Sequence, residues 1–371
     1  MIIVSPPATL NSAYDPVLYA FTGLDANATV SLTFSINAAA SVTLLAFSDS
    51  GGNAQIDIAD ILQPYVKSLN PAITGFDIIS FELTAINGNS YQDHTCYAIP
   101  ATIGKLNAAA GKSLPAVFMS GQNPGCPFFT LRAALTNSVQ FYHSELTDLF
   151  LYCRTGFSVT FEGWWLNSHG QLVAYQADVF TNVFVRHSAS EVGCLSIPDA
   201  DLSSTLKSII RVTLADSSNH SGVYYVVIDP DPVADETHLV RFRNSYGARE
   251  QILLTGELKE KNSIDGDTTY LKTENHINLR KRQRQTLTDQ FTLQTRILNV
   301  KRAELLRDML CSDQVQILID GVFYDCRVTS DLELDHTPRT PQNTELTFTI
   351  LNGCNRHRHI HSDDSTVIPS Y

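Results

Sequence analysis

Charged residues are scarce in this chain. Lys, Arg, Asp and Glu make up 17% of its 371 residues, whereas about 25% is usual for soluble proteins. Acidic residues outnumber basic ones and the formal net charge is −12, which argues against general nucleic-acid binding. Hydrophobic residues reach 43%. Disorder as the main state is therefore excluded, because disordered chains combine low hydrophobicity with high net charge.

Long apolar runs and an N-terminal targeting pattern are also missing. No stretch approaches about 18 uninterrupted apolar residues, so we expect no membrane-spanning helix and no membrane partner. The first 16 residues have neither a basic start nor a continuous apolar core. We therefore expect no secretion signal.

Cysteine is present in an odd number and without C-x-x-C spacing. The seven residues are Cys96, Cys126, Cys153, Cys194, Cys311, Cys326 and Cys354. Without a secretion signal, this pattern favours free buried thiols in a reducing compartment over disulfides. Distant cysteines and histidines do not supply the tight spacing of a zinc site.

Catalytic motifs are absent as well. The chain contains no G-x-G-x-x-G, P-loop, H-E-x-x-H or G-x-S-x-G pattern, so we expect no enzymatic activity, no catalytic residues and no cofactor. Glu162, beside Trp164 and Trp165, is the carboxylate that could act on a sugar over an aromatic platform. A glycosidase needs a second carboxylate about 5–10 Å away, and packing of the two tryptophans in a sandwich is the favoured interpretation.

The local pattern is β almost throughout. In residues 29–34, Val30, Leu32 and Phe34 alternate with polar residues, as in a half-buried strand. Residues 41–47 and 54–58, joined by the turn at 48–53, predict a hairpin, and residues 156–166 and 171–180, joined at 167–170, predict another. These two similar units suggest two related sandwich domains.

The C-terminal third predicts a strand, a helix, a hairpin and a strand. Leu287, Phe291, Leu293 and Ile297 share one face of a strand over 287–297, and an amphipathic helix is expected over 301–310, with Leu305, Leu306, Met309 and Leu310 on its apolar stripe. Arg302, Glu304, Arg307 and Asp308 are expected to face water. Residues 314–319 and 322–328 form a hairpin around Asp320-Gly321, and 346–351 is the last strand.

Charge and proline mark the domain boundaries. Residues 1–239 contain 8 basic and 20 acidic residues, and residues 240–371 contain 18 of each. The change follows Pro230 and Pro232, which predict a solvated linker. The expected organisation is a β-sandwich-like domain (1–97), a long connection (98–127), a second β-sandwich-like domain (128–229), a linker (230–239), a C-terminal β domain (240–355) and a flexible tail (356–371).

Arg280, Lys281, Arg282 and Arg284 form the dense basic run of the sequence. It fits a phosphate-binding patch, a hairpin tip or strand edge kept soluble by charge, or a contact with the acidic part of a neighbouring subunit. We take the four residues as a candidate interface.

Three histidines lie near the C terminus. His357, His359 and His361 would project to one side of an extended chain and could hold a metal. A solvated terminal segment is the favoured interpretation, so no metal site is predicted.

Three stretches resemble structural proteins of tailed-phage and prophage tails. They are Tyr14-Asp-Pro16 with GGNAQIDIADIL at residues 51–62, the segment VRFRNSYGAREQILLTG at 240–256, and the strand–helix–hairpin–strand order of 287–351, which is similar to the tail-tube and distal-tail module. The fold expected for the whole chain is mainly β, with tandem β-sandwich-like domains and a C-terminal β-rich tail-protein-like module with one short helix. The resemblance implies a β-rich, non-enzymatic subunit of a tail tip or baseplate that works as a ring or other oligomer. Its partners would be copies of itself and other tail proteins, and its location the virion. A carbohydrate-binding or adhesin-like surface protein, with a host-surface glycan as partner, is the alternative.

Overall fold

The structure is a computed structural model that describes most of the chain. The described residues are 2–68, 78–91, 94–101, 128–130, 138–152, 158–175, 184–187, 192–197, 206–215, 221–233, 236–272, 278–297, 300–330 and 342–351. The fold is mainly β, as the sequence predicts, with strands gathered in five sheets. No helix within these ranges has the length and hydropathy needed to cross a bilayer.

The chain divides into two compact units. Unit 1 comprises residues 1–232 together with 243–250, and unit 2 comprises 233–242 together with 251–371. The segment 243–250 therefore belongs to unit 1, although the strands on either side of it continue in unit 2. No sequence signal indicated this return of the chain.

The described residues in the first part of unit 1 form nine strands and one helix. They are β1 (Ile3–Ser5), β2 (Leu10–Ser12), β3 (Leu18–Thr22), β4 (Thr29–Ile36), β5 (Ala40–Phe47), β6 (Ala54–Asp57), α1 (Ala59–Ser68), β7 (Ile79–Ile86), β8 (Asn89–Ser90) and β9 (Cys96–Ile99). One sheet has the order β1-β3-β6 and the other β2-β9-β7-β4-β5, with β8 paired to β7. Both sheets contribute to one apolar cluster, in which Val30, Leu32 and Phe34 are buried as their alternation predicts.

The predicted hairpin of residues 41–58 is wrong. Strand β5 pairs with β4, and β6 pairs with β3 in the other sheet. The β4–β5 turn explains the difference, because Asn37 and Ala38 both have positive φ, which matches the right-handed twist of a hairpin. The loop after β5 is instead closed by the Asp49 carboxylate, which accepts hydrogen bonds from the backbone N–H of Gly51 and Asn53, both at 2.8 Å. It leads the chain from one sheet to the other.

In the second part of unit 1, the described ranges form eight strands. They are β10 (Ser138–Tyr142), β11 (Leu149–Tyr152), β12 (Ser158–Leu166), β13 (Leu172–Ala174), β14 (Phe184–His187), β15 (Val192–Leu195), β16 (Ser208–Ala215) and β17 (Ser221–Asp229). Their orders are β10-β17-β16-β12-β13 and β11-β15-β14. The predicted hairpin around residues 167–170 is confirmed where β12 pairs with β13. The apolar cluster between the sheets includes Phe128, Leu151, Ile210 and Val226.

Unit 2 is built on one seven-stranded sheet and one helix. Its elements are β18 (Thr237–Arg243), β19 (Arg249–Thr255), β20 (Leu258–Lys272), β21 (Asn278–Ile297), α2 (Val300–Cys311), β22 (Val315–Ile319), β23 (Val322–Thr329) and β24 (Gln342–Ile350). The strand order is β19-β18-β22-β23-β24-β21-β20. The predicted strand–helix–hairpin–strand order is confirmed.

Two sequence patterns in unit 2 also hold in detail. Asp320 and Gly321, both with positive φ, form the turn between β22 and β23. On α2, Leu305, Leu306 and Met309 are buried. Arg302 and Asp308 differ from the prediction, because both are half-buried, and Leu310 at the end of the apolar stripe is half-buried as well. Arg302 Nη1 donates to the backbone oxygen of Leu253 at 3.1 Å.

Three apolar clusters are formed by the described residues of unit 1. Besides the two sandwich cores, a third contains Leu10 and Ile99 from the first part, Phe129 and Phe150 from the second, and Ala248 from the segment 243–250.

Strand β9 extends to Ile99 and β18 begins at Thr237. The predicted connection 98–127 and the predicted linker 230–239 thus each overlap a strand by a few residues.

Candidate functional site

Strands β20 and β21 form a long two-stranded ribbon at the edge of the unit 2 sheet. Strand β24 pairs with β21 over residues 290–297. From residue 289 back to 278, β20 is the described partner of β21. This part spans about 40 Å at about 3.3 Å per residue. Two-stranded ribbons of this kind are marginally stable alone in water.

The predicted basic run lies in this ribbon, near the start of β21. Arg280, Lys281 and Arg282 are in register with Tyr270, Thr269 and Thr268, none of which is acidic. Arg284 is in register with Asp267. Three of the four cations therefore have no acidic residue opposite them on β20.

The ribbon also contains a β-bulge. The register shifts between Asp267 and Thr268, which leaves Gln283 without a counterpart on β20. A bulge interrupts the alternation of faces and increases the local twist. The register of β21 is compatible with each of the three interpretations of the basic run.

Glu162 does not have the environment of a catalytic acid. Its Oε2 accepts a hydrogen bond from Arg211 Nη1 at 2.9 Å, and both side chains are substantially exposed. Glu162 and Arg211 face each other across β12 and β16. An exposed ion pair of this kind contributes about 0–1 kcal/mol.

The two tryptophans lie on opposite faces of β12, as consecutive strand residues must. Trp165 lies on the same side as Gly163 and Phe161, and its ring meets Tyr175 edge to face at 4.8 Å between centroids. Trp164 is half-buried on the other side, in register with Ile209 and next to Glu162.

The outward face of the five-stranded sheet therefore carries both apolar and charged groups. Trp164 and the Glu162–Arg211 pair lie at its centre, with Tyr225 (39% exposed) on β17 and Leu172 (58% exposed) on β13. This face is called the outer face below.

The best-connected buried polar cluster lies in the segment 243–250 and was not predicted. Asn244 Oδ1 accepts from the N–H groups of Tyr246 and Ala248 at 3.0 and 2.9 Å. Its Nδ2 donates to Phe129 O at 2.8 Å and to Glu250 Oε1 at 2.7 Å. Thr130 Oγ1 also donates to Glu250 Oε1, at 2.9 Å.

Glycine at position 247 completes this turn. Gly247 has φ of +84°, and a Cβ there would come within 2.9 Å of Pro100 O. The dipeptides Asn-Ser and Tyr-Gly after an alternating strand are turn signals, and they could have indicated a tight turn at this point. The burial of the turn follows from contacts distant in sequence and carries no local signal.

The cysteines and histidines show no metal-binding arrangement within the described residues. Cys96, Cys194 and Cys326 are buried free thiols and Cys311 is an exposed one. Burial raises the pKa of the Cys326 thiol to about 12, and burial also raises the pKa of Cys194. No cluster of three His, Cys, Asp or Glu residues suited to a metal occurs in the described ranges. His357, His359 and His361 lie outside them, as do Cys126, Cys153 and Cys354.

Comparison with known proteins finds little that resembles the chain. No family model and no curated protein matches it. Among solved structures, a tetra-tandem repeat from the extending region of a large adhesion protein matches at 11% identity, covering 94% of this chain and 81% of that chain, with a TM-score of 0.19. A 1.5-MDa bacterial ice-binding adhesin matches at 9% identity over 80% and 92%, with a TM-score of 0.17. The major pilin subunit BcpA of Bacillus cereus matches at 9% over 93% and 95%, with a TM-score of 0.12.

Proposed function

We propose that this chain is a non-enzymatic structural subunit that assembles with copies of itself and with other subunits through the β20–β21 ribbon. The observation that carries the proposal is the ribbon itself: residues 278–289 pair with β20 alone among described strands. Because such a strand pair is marginal by itself, contact with another chain would supply the missing stabilisation. The sequence resemblance to tail proteins supports a place in a phage or prophage tail tip or baseplate.

Charge supports the same proposal. The ribbon carries Arg280, Lys281 and Arg282 without acidic register partners, whereas residues 1–239 hold 20 acidic and 8 basic residues. A neighbouring copy thus offers the carboxylates that the basic run lacks. Exposed ion pairs add only about 0.2–1 kcal/mol each, so charge would set register and association rate, and apolar and backbone contacts would provide most of the affinity.

Reversing the charge of Arg280, Lys281 and Arg282, which have no acidic register partner on β20, tests this proposal. We expect the variant with Arg280, Lys281 and Arg282 all changed to Glu to self-associate at least about tenfold more weakly than the wild type, equal to about 1.4 kcal/mol. Sedimentation velocity measures the change. Arg284 is kept, because it is in register with Asp267.

A matched control has the same change in net charge. Lys207, Arg307 and Arg327 are basic residues outside the ribbon; Arg307 and Arg327 are exposed, and the Lys207 side chain is 39% exposed. Their replacement by Glu should leave association within about twofold of the wild type, because distant exposed charges are screened. Equal weakening by both variants would mean that net charge, and not the ribbon, controls association.

The outer face favours a second candidate function, carbohydrate binding by a surface protein. An aromatic ring beside a charged hydrogen-bonding pair can stack on a sugar ring and bind its hydroxyl groups, and Trp164 with Glu162–Arg211 offers both. Trp164→Ala should then abolish binding on a glycan array without lowering the melting temperature. Trp165→Ala, on the opposite face against Tyr175, should lower stability and leave the binding specificity unchanged.

A further inference from the structure

Strand β5 is a long edge strand without the usual protection. It ends the β2-β9-β7-β4-β5 sheet and pairs with β4 over all eight of its residues, and no described strand pairs with its other edge. Its sequence, ASVTLLAF, has no charge and no proline, and its pairing with β4 has no bulge. Soluble proteins normally use those three features to keep long edges from pairing with other chains.

Residues of β5 alternate between those that hydrogen-bond to β4 and those that do not. This alternation shows which backbone N–H and C=O groups lie at the open edge. Ser48 N donates to Ala28 O at 3.0 Å, and antiparallel pairs alternate between bonded and non-bonded positions. Ser41, Thr43, Leu45 and Phe47 therefore direct their N–H and C=O groups away from β4. The 3.2 Å separation of the Thr33 and Thr43 hydroxyl oxygens agrees, because side chains approach most closely at non-bonded pairs.

The same residues expose apolar surface. Leu45 is 62% exposed and Phe47 is 73% exposed, although Ala46 between them is buried. The backbone N–H and C=O groups along the edge of a β-strand can all be paired by a second β-strand, because both strands have the same rise per residue. The incoming strand must be uncharged along this edge and must cover Leu45 and Phe47.

We propose that the strand which docks there is β5 of a second copy of this chain, antiparallel, with a two-fold axis at Leu44. In this register Thr43 faces Leu45 of the other copy and Ser41 faces Phe47. All four edge residues then fall at bonded positions, which allows about eight hydrogen bonds between the copies. Both copies keep their apolar face on the same side, because residues of the same parity oppose each other.

The chemistry of β5 selects a second copy. Residues 1–239 hold 20 acidic and 8 basic residues, so a contact that brings acidic surfaces of two copies together is repulsive. The neutral strand β5 provides eight residues where this repulsion is absent, and each exposed apolar residue meets a small polar one. This edge lies in unit 1 and is independent of the ribbon in unit 2.

Proline at position 45 tests the inference. The Leu45 N–H points away from β4, so Leu45→Pro removes a hydrogen bond to the second copy without breaking the ladder within the chain. Leu45→Ala is the control, because it removes the side chain but keeps the N–H. Both are made in the background with Arg280, Lys281 and Arg282 changed to Glu, where the ribbon contact is weakened.

Sedimentation velocity in that background should show remaining self-association, reduced at least about tenfold by Leu45→Pro and less by Leu45→Ala. Hydrogen exchange on the unsubstituted chain gives an independent measurement: the Thr43 and Leu45 amides should exchange more slowly as protein concentration rises. Fast exchange of both amides at every concentration, or equal association of the proline and alanine variants, would overturn the inference.

Discussion

Asn244 shows how one side chain organises a buried turn. Its amide makes four hydrogen bonds, two of them to the backbone of its own turn and two to Phe129 O and Glu250. Asn244 is 3% exposed and Glu250 is 2% exposed, so water cannot replace these bonds. Buried polar groups left without partners cost about 1–3 kcal/mol each.

Asn244→Ala should therefore destabilise unit 1 by about 3 kcal/mol. Urea unfolding followed by circular dichroism measures the change. Asn167 is a matched control, because its Oδ1 accepts from the N–H groups of His169 and Gln171 in the same i+2 and i+4 pattern, but in an exposed turn. Asn167→Ala should cost about 1 kcal/mol or less, and equal losses for the two variants would contradict the importance of burial.

The cysteines should differ sharply in reactivity. The Cys326 thiol, with its pKa raised to about 12 by burial, stays protonated at pH 8, and the thiolate is the reactive form. Iodoacetamide at pH 8 should modify the exposed Cys311 at least about a hundredfold faster than Cys326. Mass spectrometry of the native protein measures the rates, and rapid labelling of Cys326 would show that its strand opens readily.

The sequence predicted the roles of residues that depend only on neighbours close in sequence. The buried faces of β4 and α2 follow from spacing alone, and Asp320-Gly321 from turn chemistry. Glu162 was identified as an unusual carboxylate, but its partner Arg211 lies 49 positions away and carries no local signal. The same holds for Thr130 and Glu250, which are 120 positions apart.

At the scale of elements, turn chemistry predicted hairpins correctly at Asp320-Gly321 and at residues 167–170, and it failed at the loop 48–53. The loop at 48–53 has the composition of a hairpin turn, yet β5 and β6 enter different sheets. Strand pairing across sheets depends on the whole chain, and composition alone cannot distinguish a hairpin from a crossing between sheets. The length of the ribbon was missed for a similar reason, since residues 258–286 lack regular alternation.

The linker prediction can be refined by the contacts of its first residues. Ser144 donates to Asp231 through both its N–H and its hydroxyl group, whereas Val233 is fully exposed. Limited proteolysis should therefore cut first within residues 233–236, and mass spectrometry of the fragments locates the site. Earliest cuts within 287–351 would contradict this boundary.

A fragment ending at Pro232 should be less stable than unit 1 as a whole. It lacks the segment 243–250, which contributes Ala248 to an apolar cluster and Asn244 and Glu250 to the buried polar network. We expect recombinant 1–232 to melt at least about 5 °C below the intact chain, since each kcal/mol lost shifts the melting temperature by a few degrees. An unchanged melting temperature would mean that the segment adds nothing to unit 1.

At the scale of the whole molecule, the distribution of charge and the ribbon support the same account. Residues 1–239 are acidic and residues 240–371 carry equal numbers of acids and bases, so a contact between the basic run of one copy and the acidic part of another is electrostatically attractive. Raising the salt concentration should weaken association, because exposed charges are screened beyond about 10 Å at 0.1 M. The loss should be smaller than that caused by reversing the three cations, since screening adds no repulsion.

The central claim, that the chain is an assembling structural subunit, is tested most directly by the mass of the wild-type protein in solution. Sedimentation velocity over a range from about 1 to 100 μM, a span that covers contacts of micromolar affinity, should show a concentration-dependent shift from the 41.0 kDa chain to larger species. A chain that stays at 41.0 kDa throughout this range would contradict the account.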